Sequence, residues 1–233
     1  LANSGGSLLL NDSANTTRAA GTPNAAVATN VWIDGAVAFT GVTSRITLGQ
    51  VAIPTNNGTV SFWWRPTNLS DQPIWTSRKD AVNGLFDMYL FSSSLYCGWY
   101  KNNTEQRVVT NVTSFITVSN WYFVALTWTR NGNEELRING VSRGTVSNLT
   151  NTWDTSTTNL YLNSPQGANG GTNYFVDEVT LSSVTRSTNW IDACYLNQAS
   201  NTVFNNYGAA TNLPVSIDLP AIANLAAANL TTN

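Results

Sequence analysis

Short runs in which apolar and polar residues alternate recur along the chain, separated by clusters rich in Gly, Asn, Ser and Thr. In residues 59–65, Val60, Phe62 and Trp64 share one face, and this period of two predicts a β-strand. The run 121–129 is apolar on both faces, as in a strand near the centre of a sandwich. Further strands are predicted at residues 45–48, 85–90, 95–100, 108–110, 134–138, 141–146, 160–162 and 174–182.

The turns between these runs indicate antiparallel pairing. Asn131-Gly132 and Asn139-Gly140 tolerate positive φ and predict two tight hairpins, which join three strands into a meander. Residues 166–173 (QGANGGTN) are predicted as a loop. Residues 189–198 have a helical pattern, with Trp190, Cys194 and Leu196 predicted on one face. The pattern predicts an all-β fold, an antiparallel two-sheet sandwich with one short helix near the C-terminus.

Composition narrows the classes of function. Charged residues make up 10% of the chain and the net charge is -2, whereas a nucleic-acid binder needs clustered Lys and Arg. The chain contains no histidine, which excludes Ser-His-Asp triads and His-ligated zinc. No run reaches the roughly 18–20 apolar residues that span a bilayer. We therefore predict no nucleic-acid partner and no membrane span.

The C-terminal end differs from the rest of the chain. Residues 1–208 are predicted to form one domain, and residues 209–233 a tail with Pro214 and Pro220 and no strand–turn rhythm. The tail is either a linker packed along the domain or an extended arm that docks on a neighbouring subunit's sheet edge.

The two cysteines, Cys97 and Cys194, have two interpretations. Both could be small buried apolar side chains, or they could form one disulfide in an oxidising compartment. The sequence leaves both open.

Eight Asn-x-Ser/Thr sequons are candidate N-glycosylation sites. In a chain so rich in Asn, Ser and Thr, about this number arises by chance. The sequons lie at Asn11, Asn15, Asn57, Asn68, Asn102, Asn111, Asn148 and Asn229.

Four segments together resemble the concanavalin A-like lectin/glucanase superfamily, in its laminin-G-like and pentraxin-like branch. They occur in the order that this family shows, within residues 7–208, and residues 190–208 resemble the tail of some bacterial members. The resemblance implies a two-sheet jelly roll with a concave and a convex face. The segments are 35–41 (GAVAFTG), 60–65 (VSFWWR), 121–140 with both Asn-Gly pairs, and 175–181 (FVDEVTL).

The sequence departs from the family where acidic residues often follow the early strand, because residues 39–44 read FTGVTS. Calcium needs several hard oxygen ligands, and only Asp34 and Asp177 remain as candidates. A structural role for Asp177 and Glu178 is favoured. No cofactor is predicted; Ca²⁺ stays open without being favoured.

Glycosidase relatives carry a Glu-x-Asp-x-x-Glu strand, which sets two carboxylates about 5–5.5 Å apart for a retaining mechanism. None of the glutamates here has that spacing. Glu134 and Glu135 are adjacent on a predicted strand and point to opposite faces, and nothing in the sequence brings Asp87 and Glu178 together. We predict that the chain is not an enzyme.

Nine tryptophans suggest sugar recognition, which uses flat aromatic faces beside polar groups. Trp64, Val124, Leu126 and Trp128 are predicted in the core, because they alternate in register on apolar strands. The candidate glycan-binding residues, predicted at the surface, are Trp75, Trp99, Tyr100, Trp153 and Asp154.

Three functions remain open. The first is an extracellular, non-catalytic carbohydrate-binding or adhesion module of a cell-surface or virion-surface protein, with glycans or cell-surface glycoconjugates as partners. The second is a structural subunit of an extracellular filament or shell that self-assembles through its C-terminal arm. The third and most distant is a glycan-active enzyme. Because one fold hosts many functions, the resemblance favours the first by association only.

Overall fold

A computed structural model describes residues 2–4, 7–9, 22–24, 26–29, 36–80, 84–101, 104–150, 157–164 and 173–199. The predicted tail, 209–233, lies outside these residues, so the boundary at 208 and the arm both stay predictions. Most of the predicted loop 166–173 also lies outside them.

The described residues form sixteen strands and one helix. The strands are Ala2–Ser4 (β1), Ser7–Leu9 (β2), Thr22–Asn24 (β3), Ala26–Thr29 (β4), Ala36–Phe39 (β5), Arg45–Ala52 (β6), Asn57–Pro66 (β7), Gln72–Asp80 (β8), Gly84–Phe91 (β9), Ser94–Lys101 (β10), Thr104–Asn111 (β11), Tyr122–Thr129 (β12), Asn133–Ile138 (β13), Val141–Ser147 (β14), Thr157–Leu162 (β15) and Tyr174–Ser182 (β16). The helix, α1, is Thr188–Ala199.

Two antiparallel sheets contain fourteen of these strands. The front sheet has the order β11-β10-β9-β8-β15-β6-β3, and the back sheet has the order β14-β13-β12-β7-β16-β5-β4. Strands β1 and β2 pair separately as a small ribbon. The predicted antiparallel sandwich with one helix near the C-terminus is confirmed.

The main core lies between the two sheets and consists of inward-facing residues of both. Trp64, Val124, Leu126 and Trp128 are all fully buried in it, as the alternation predicts. Large aromatic side chains dominate this core, and the burial of their apolar surface supplies much of the stability of the sandwich.

The meander of the back sheet forms as its Asn-Gly pairs predict. Asn131 has a φ of 61°, Asn139 a φ of 51° and Gly140 a φ of 77°. These left-handed conformations suit Asn and Gly. The turns therefore set the register of β12, β13 and β14.

Helix α1 covers part of the outer face of the back sheet. Ile191, which is 1% exposed, packs against Trp63, Phe123 and Ala125, the outward-facing residues of β7 and β12. This second layer explains why the run 121–129 is apolar on both faces.

Two of the three residues predicted to share one face of the helix, Trp190 and Cys194, lie on its packed side, whereas Leu196 does not. Trp190, Ile191, Cys194 and Tyr195 contact the back sheet, a spacing that places them on one side of a 3.6-residue helix. Leu196 is only half-buried and lies outside this contact. Its assignment to the buried face is wrong, because two residues beyond Cys194 the helix has turned by about 200°.

Ile191→Ala is expected to lower the free energy of unfolding by about 3 kcal/mol, because it leaves a cavity between α1 and the back sheet. Leu196→Ala, on the same helix, should cost less than about 1 kcal/mol. Chemical denaturation of both variants checks the assignment. A larger loss for Leu196→Ala would show that the helix packs on the predicted face.

The structure contradicts the Cys97–Cys194 disulfide, since both thiols are free. Cys97 is fully buried between the sheets, whereas Cys194 lies on α1, outside the back sheet. The back sheet therefore stands between the two sulfur atoms. Burial raises the pKa of both thiols above the ordinary value, with Arg186 opposing the shift at Cys194.

Candidate functional site

Two of the predicted surface aromatic residues are in the core. Trp75 is 3% exposed and Trp99 is fully buried. The Phe86 ring packs edge-on against Trp75, with ring centroids 4.5 Å apart, and stacks on Trp99 at 4.1 Å. The prediction that Trp75 and Trp99 lie at the surface is wrong, because they occupy inward positions of β8 and β10. Neither ring can present a face to a ligand in this structure.

Tyr100 follows Trp99 on β10, so its side chain points to the opposite, outer face of the front sheet. It is half-buried there, as a surface candidate should be. Trp153 and Asp154 lie outside the described residues. The structure describes Trp75, Trp99 and Tyr100 of the predicted glycan-binding residues, and of these three only Tyr100 lies on an accessible face.

The outer face of the front sheet carries further aromatic residues beside Tyr100. Tyr89 on β9 lies directly opposite Tyr96 on β10, and the two rings stack with centroids 4.8 Å apart and planes 9° apart. All three tyrosines are half-buried. We call Tyr89, Tyr96 and Tyr100 the tyrosine platform.

Apolar side chains extend the platform at one end. Phe91 is 50% exposed and its ring lies 6.4 Å from that of Tyr96. Val109, opposite Tyr96 on β11, is 49% exposed. Large exposed apolar groups that lie together on one surface often mark a binding face.

An ion pair crosses the centre of this face. Asp87 on β9 and Arg107 on β11 both pair with Gly98 of β10, so their backbones are two strands, about 10 Å, apart. Nη2 of Arg107 nevertheless donates a hydrogen bond to Oδ2 of Asp87 at 3.1 Å, and Nε lies 3.0 Å from Oδ1 without hydrogen-bond geometry. The two side chains therefore reach across β10 on the outer face of the front sheet.

The guanidinium of Arg107 organises the platform around it. Its central carbon lies 5.3 Å from the ring centroid of Tyr89 and 5.2 Å from that of Tyr100. Its Nη1 also lies 3.4 Å from Oε1 of Glu105. Arg107 therefore holds two tyrosines and two carboxylates in fixed positions.

Two ionisable groups of this face are strongly shifted. Burial raises the pKa of Asp87 to about 7, with the attraction of Arg107 opposing the shift and the Glu105 charge adding to it. Burial also raises the pKa of Tyr89 to about 12, again against the effect of Arg107. The Tyr89 hydroxyl therefore keeps its proton at neutral pH and can act as a hydrogen-bond donor.

Glu134 lies on the other side of Gly98, between the two sheets. It is fully buried on β13, and a Cβ added to Gly98 would lie 2.0 Å from its Oε1. Burial raises the pKa of Glu134 well above its ordinary value, although the Val108 backbone opposes the shift. The absence of a side chain at Gly98 thus leaves room for the Glu134 carboxyl group between the sheets, while the Asp87–Arg107 ion pair lies on the outer face.

The free energy of unfolding is expected to decrease as the pH rises from 4 to 8. Asp87 and Glu134 both have raised pKa values in the folded state, so the folded protein binds more protons than the unfolded chain in this range. Their stabilising effect is complete below the ordinary carboxyl pKa. For Asp87 this effect is lost as the pH rises towards about 7. For Glu134 it is lost as the pH rises through the raised pKa that this carboxyl has in the folded state.

Glu134→Gln should weaken this pH dependence and make the protein more stable at pH 8, because the amide carries no charge to bury. Denaturation midpoints at pH 4 and pH 8 measure the effect. Glu135→Gln, on the opposite side of the same strand, is the matched control and should leave the pH dependence in place. If Glu134→Gln and wild type respond equally to pH, Glu134 is not the buried acid described here.

The metal-site candidates receive no support from geometry. Asp177 is 1% exposed and its Oδ1 accepts a hydrogen bond from the Glu178 backbone at 2.8 Å. Asp34 lies outside the described residues. Among the residues that the structure describes, no three His, Cys, Asp or Glu side chains cluster as metal ligands. Calcium binding, which the sequence leaves open without favouring it, stays untested.

The sequons that fall on described residues lie at or near the surface. Asn57, Asn111 and Asn148 are exposed, and Asn68 is half-buried. Asn11, Asn15, Asn102 and Asn229 lie outside the described residues. Glycosylation at all eight stays a prediction.

Sequence reasoning missed Asp87, Tyr89, Tyr96 and Arg107 as candidate binding residues. The outward position of Asp87, Tyr89 and Tyr96 could have been read from the sequence. They flank Met88 and Cys97, which belong to apolar inward runs, and adjacent strand residues face opposite sides. The meeting of Asp87 with Arg107 was not available, because it depends on the register of three strands.

Comparison with known proteins tests the family resemblance. Curated protein sequences give no match. The family model described as the concanavalin A-like lectin/glucanases superfamily matches residues 39–192, more than half of the 233 residues. The chain belongs to this superfamily. The matched region contains the whole tyrosine platform.

Solved structures of this superfamily's fold are similar to the chain at low sequence identity. Domain 4 of an extracellular arabinanase from Geobacillus stearothermophilus, solved with arabinotriose, has a TM-score of 0.62 and 18% identity, covering 78% of this chain and 91% of that domain. The botulinum neurotoxin serotype D ligand-binding domain, solved with N-acetylneuraminic acid, has a TM-score of 0.61 and 15% identity, covering 82% and 50%. The receptor-binding domain of the C/D mosaic botulinum neurotoxin has a TM-score of 0.61 and 14% identity, covering 76% and 46%.

These likenesses show the lectin-like jelly-roll fold. The chain spans about half the length of the toxin domains that it matches, whereas it spans most of the arabinanase domain. Within the described part of the chain, no helix has both the length and the apolar character needed to cross a membrane.

Proposed function

We propose that this domain is a non-catalytic carbohydrate-binding module and that it binds glycans on the tyrosine platform. The observation that carries the proposal is the combination of three half-buried tyrosines with Asp87, Glu105 and Arg107 on one open sheet face. Aromatic faces contact the apolar faces of sugar rings, and neighbouring polar groups orient the hydroxyls. Superfamily membership and the sugar-bound arabinanase domain support this reading.

A binding role accounts for the carboxylates of this face better than catalysis does. The side chains of Asp87 and Arg107 are each 6% exposed, and Arg107 binds both Asp87 and Glu105. A glycosidase needs an acid and a second carboxylate that both reach the scissile bond. Asp87 is instead covered by its ion-pair partner, and Glu134 is enclosed between the sheets.

An extracellular location fits this role. The arabinanase domain belongs to an extracellular enzyme, and only 10% of the residues of this chain are charged. A chain poor in charge suits close contact with uncharged polymers, whereas nucleic-acid binding requires clustered Lys and Arg. More specifically, we propose that the domain serves in adhesion, as part of a cell-surface or virion-surface protein.

Tyr96→Ala is expected to weaken glycan binding by about tenfold or more, because it removes the platform ring that stacks on Tyr89. The measurement is affinity electrophoresis or titration calorimetry of the full chain with soluble arabinan, xylan, mixed-linkage β-glucan and mannan. Reducing-end release in the same mixtures tests for hydrolysis, and we expect none.

Two variants serve as controls for this experiment. Tyr96→Phe keeps the ring and should bind nearly as wild type, while Trp121→Ala removes an aromatic residue at the back sheet and should leave binding unchanged. If Tyr96→Ala binds as wild type, the platform is not the site. If the wild-type chain binds none of these polymers or other glycans, carbohydrate binding itself fails.

A further inference from the structure

We propose that the tyrosine platform binds the interior of a linear, neutral glycan that lies along β10, and that it needs at least three consecutive sugar units. This inference rests on the proposed function and specifies its ligand class. It distinguishes a module that binds the interior of a polysaccharide chain from a lectin that binds one terminal sugar.

The shape of the face favours a chain. The central position of the platform is Gly98, which has no side chain, and the Asp87–Arg107 ion pair lies across it. A cavity among the described residues lies between the two sheets, away from this face, and is lined by Phe62, Trp75 and Leu162. An open sheet face with half-buried and exposed side chains offers contacts along the side of a ligand, whereas a terminal sugar is usually held in a concave pocket.

The spacing of the rings indicates the length. Tyr96 and Tyr100 are four residues apart on the same face of β10, a separation of about 13 Å between backbones. One monosaccharide can contact a single ring of such a pair. A chain that contacts both rings must also cross the Asp87–Arg107 pair between them, so a third unit lies over Gly98.

The charge of the face favours an uncharged ligand. Among its described side chains, Glu105 is the accessible charged group, at 44% exposure, whereas Arg107 is 6% exposed and already binds two carboxylates. An anionic sugar would approach Glu105 with like charge and would find the guanidinium occupied. Hydroxyl groups of a neutral sugar can instead donate hydrogen bonds to Glu105.

Titration calorimetry of the full chain with oligosaccharide ladders tests the proposal. The probes are arabino-, xylo-, cello- and manno-oligosaccharides of one to five units, together with sialyllactose and oligogalacturonate. For the ligand series that binds, affinity should rise by about tenfold or more from the disaccharide to the tetrasaccharide. The two anionic probes should bind more weakly than the best neutral series.

Tyr100→Ala should remove most of the gain in affinity between two and four units, because the gain comes from the contact of the longer chain with the Tyr100 ring. Tyr100→Phe should keep the length dependence, and circular dichroism spectra confirm that each variant is folded. The length dependence of the wild-type chain needs no variant, so the test stands even if Tyr100→Ala does not fold.

The outcomes separate the two proposals. A monosaccharide that binds as tightly as the tetrasaccharide, or an anionic probe that binds best, overturns this inference but leaves carbohydrate binding in place. Absence of binding to every probe overturns both. Length-dependent binding that Tyr96→Ala does not weaken also overturns the inference, because the chain would then lie elsewhere.

Discussion

Gly98→Ala is expected to lower the free energy of unfolding by about 4 kcal/mol or to prevent folding. The added Cβ would lie 2.0 Å from Oε1 of Glu134, so this carboxyl group, which is buried between the sheets, would have to shift. The φ of Gly98 is also +128°, a region that residues with a side chain rarely adopt. Equilibrium denaturation of the variant measures the loss.

Gly41→Ala is the matched control, because Gly41 has a similar φ of +137° and a Cβ there would meet nothing within 4 Å. Its cost should be about 1–3 kcal/mol, the backbone strain alone. The difference between the two variants in free energy of unfolding measures the cost of the contact between the added Cβ and Glu134. If the two variants are equally stable, Glu134 does not occupy the inner side of Gly98.

Asp87→Ala is expected to lower the free energy of unfolding by about 3 kcal/mol at pH 7.5, since it leaves Arg107 buried with only Glu105 as a partner. Chemical denaturation measures this loss. The same variant should weaken glycan binding, because Arg107 would no longer hold Tyr89 and Tyr100 in place.

The double variant Asp87→Leu/Arg107→Met is the control. The raised pKa of Asp87 means that burial of the carboxylate outweighs the attraction of Arg107. Replacement of both groups by apolar ones should therefore recover the stability to within about 1 kcal/mol of wild type, or exceed it. If Asp87→Ala alone is as stable as wild type, the ion pair across Gly98 does not order this face.

The strands and hairpins could be predicted because their signals are local. The alternation around Phe62 and the Asn-Gly pairs at Asn131 and Asn139 depend on a few neighbouring residues, and the structure agrees with them. The resemblance to the concanavalin A-like superfamily could also be read from short segments in order, and it is confirmed.

The candidate site could be predicted only in part, because it depends on which strands are neighbours. The prediction places both Trp99 and Tyr100 at the surface, yet adjacent strand positions face opposite sides of a sheet, and Trp99 is the buried one. The pairing of Asp87 with Arg107 requires β9, β10 and β11 in one register. The separation of Cys97 from Cys194 required the position of α1 outside the back sheet, which no local pattern specifies.

A crystal structure of the full chain with a neutral tetrasaccharide from the best-binding series would locate the bound glycan. We expect sugar rings that lie along β10 on the outer face of the front sheet, in contact with Tyr96 and Tyr100 and crossing above Gly98. A sugar bound at the back sheet beside Trp121 and Phe175, or at the rim of the sandwich, would contradict this expectation.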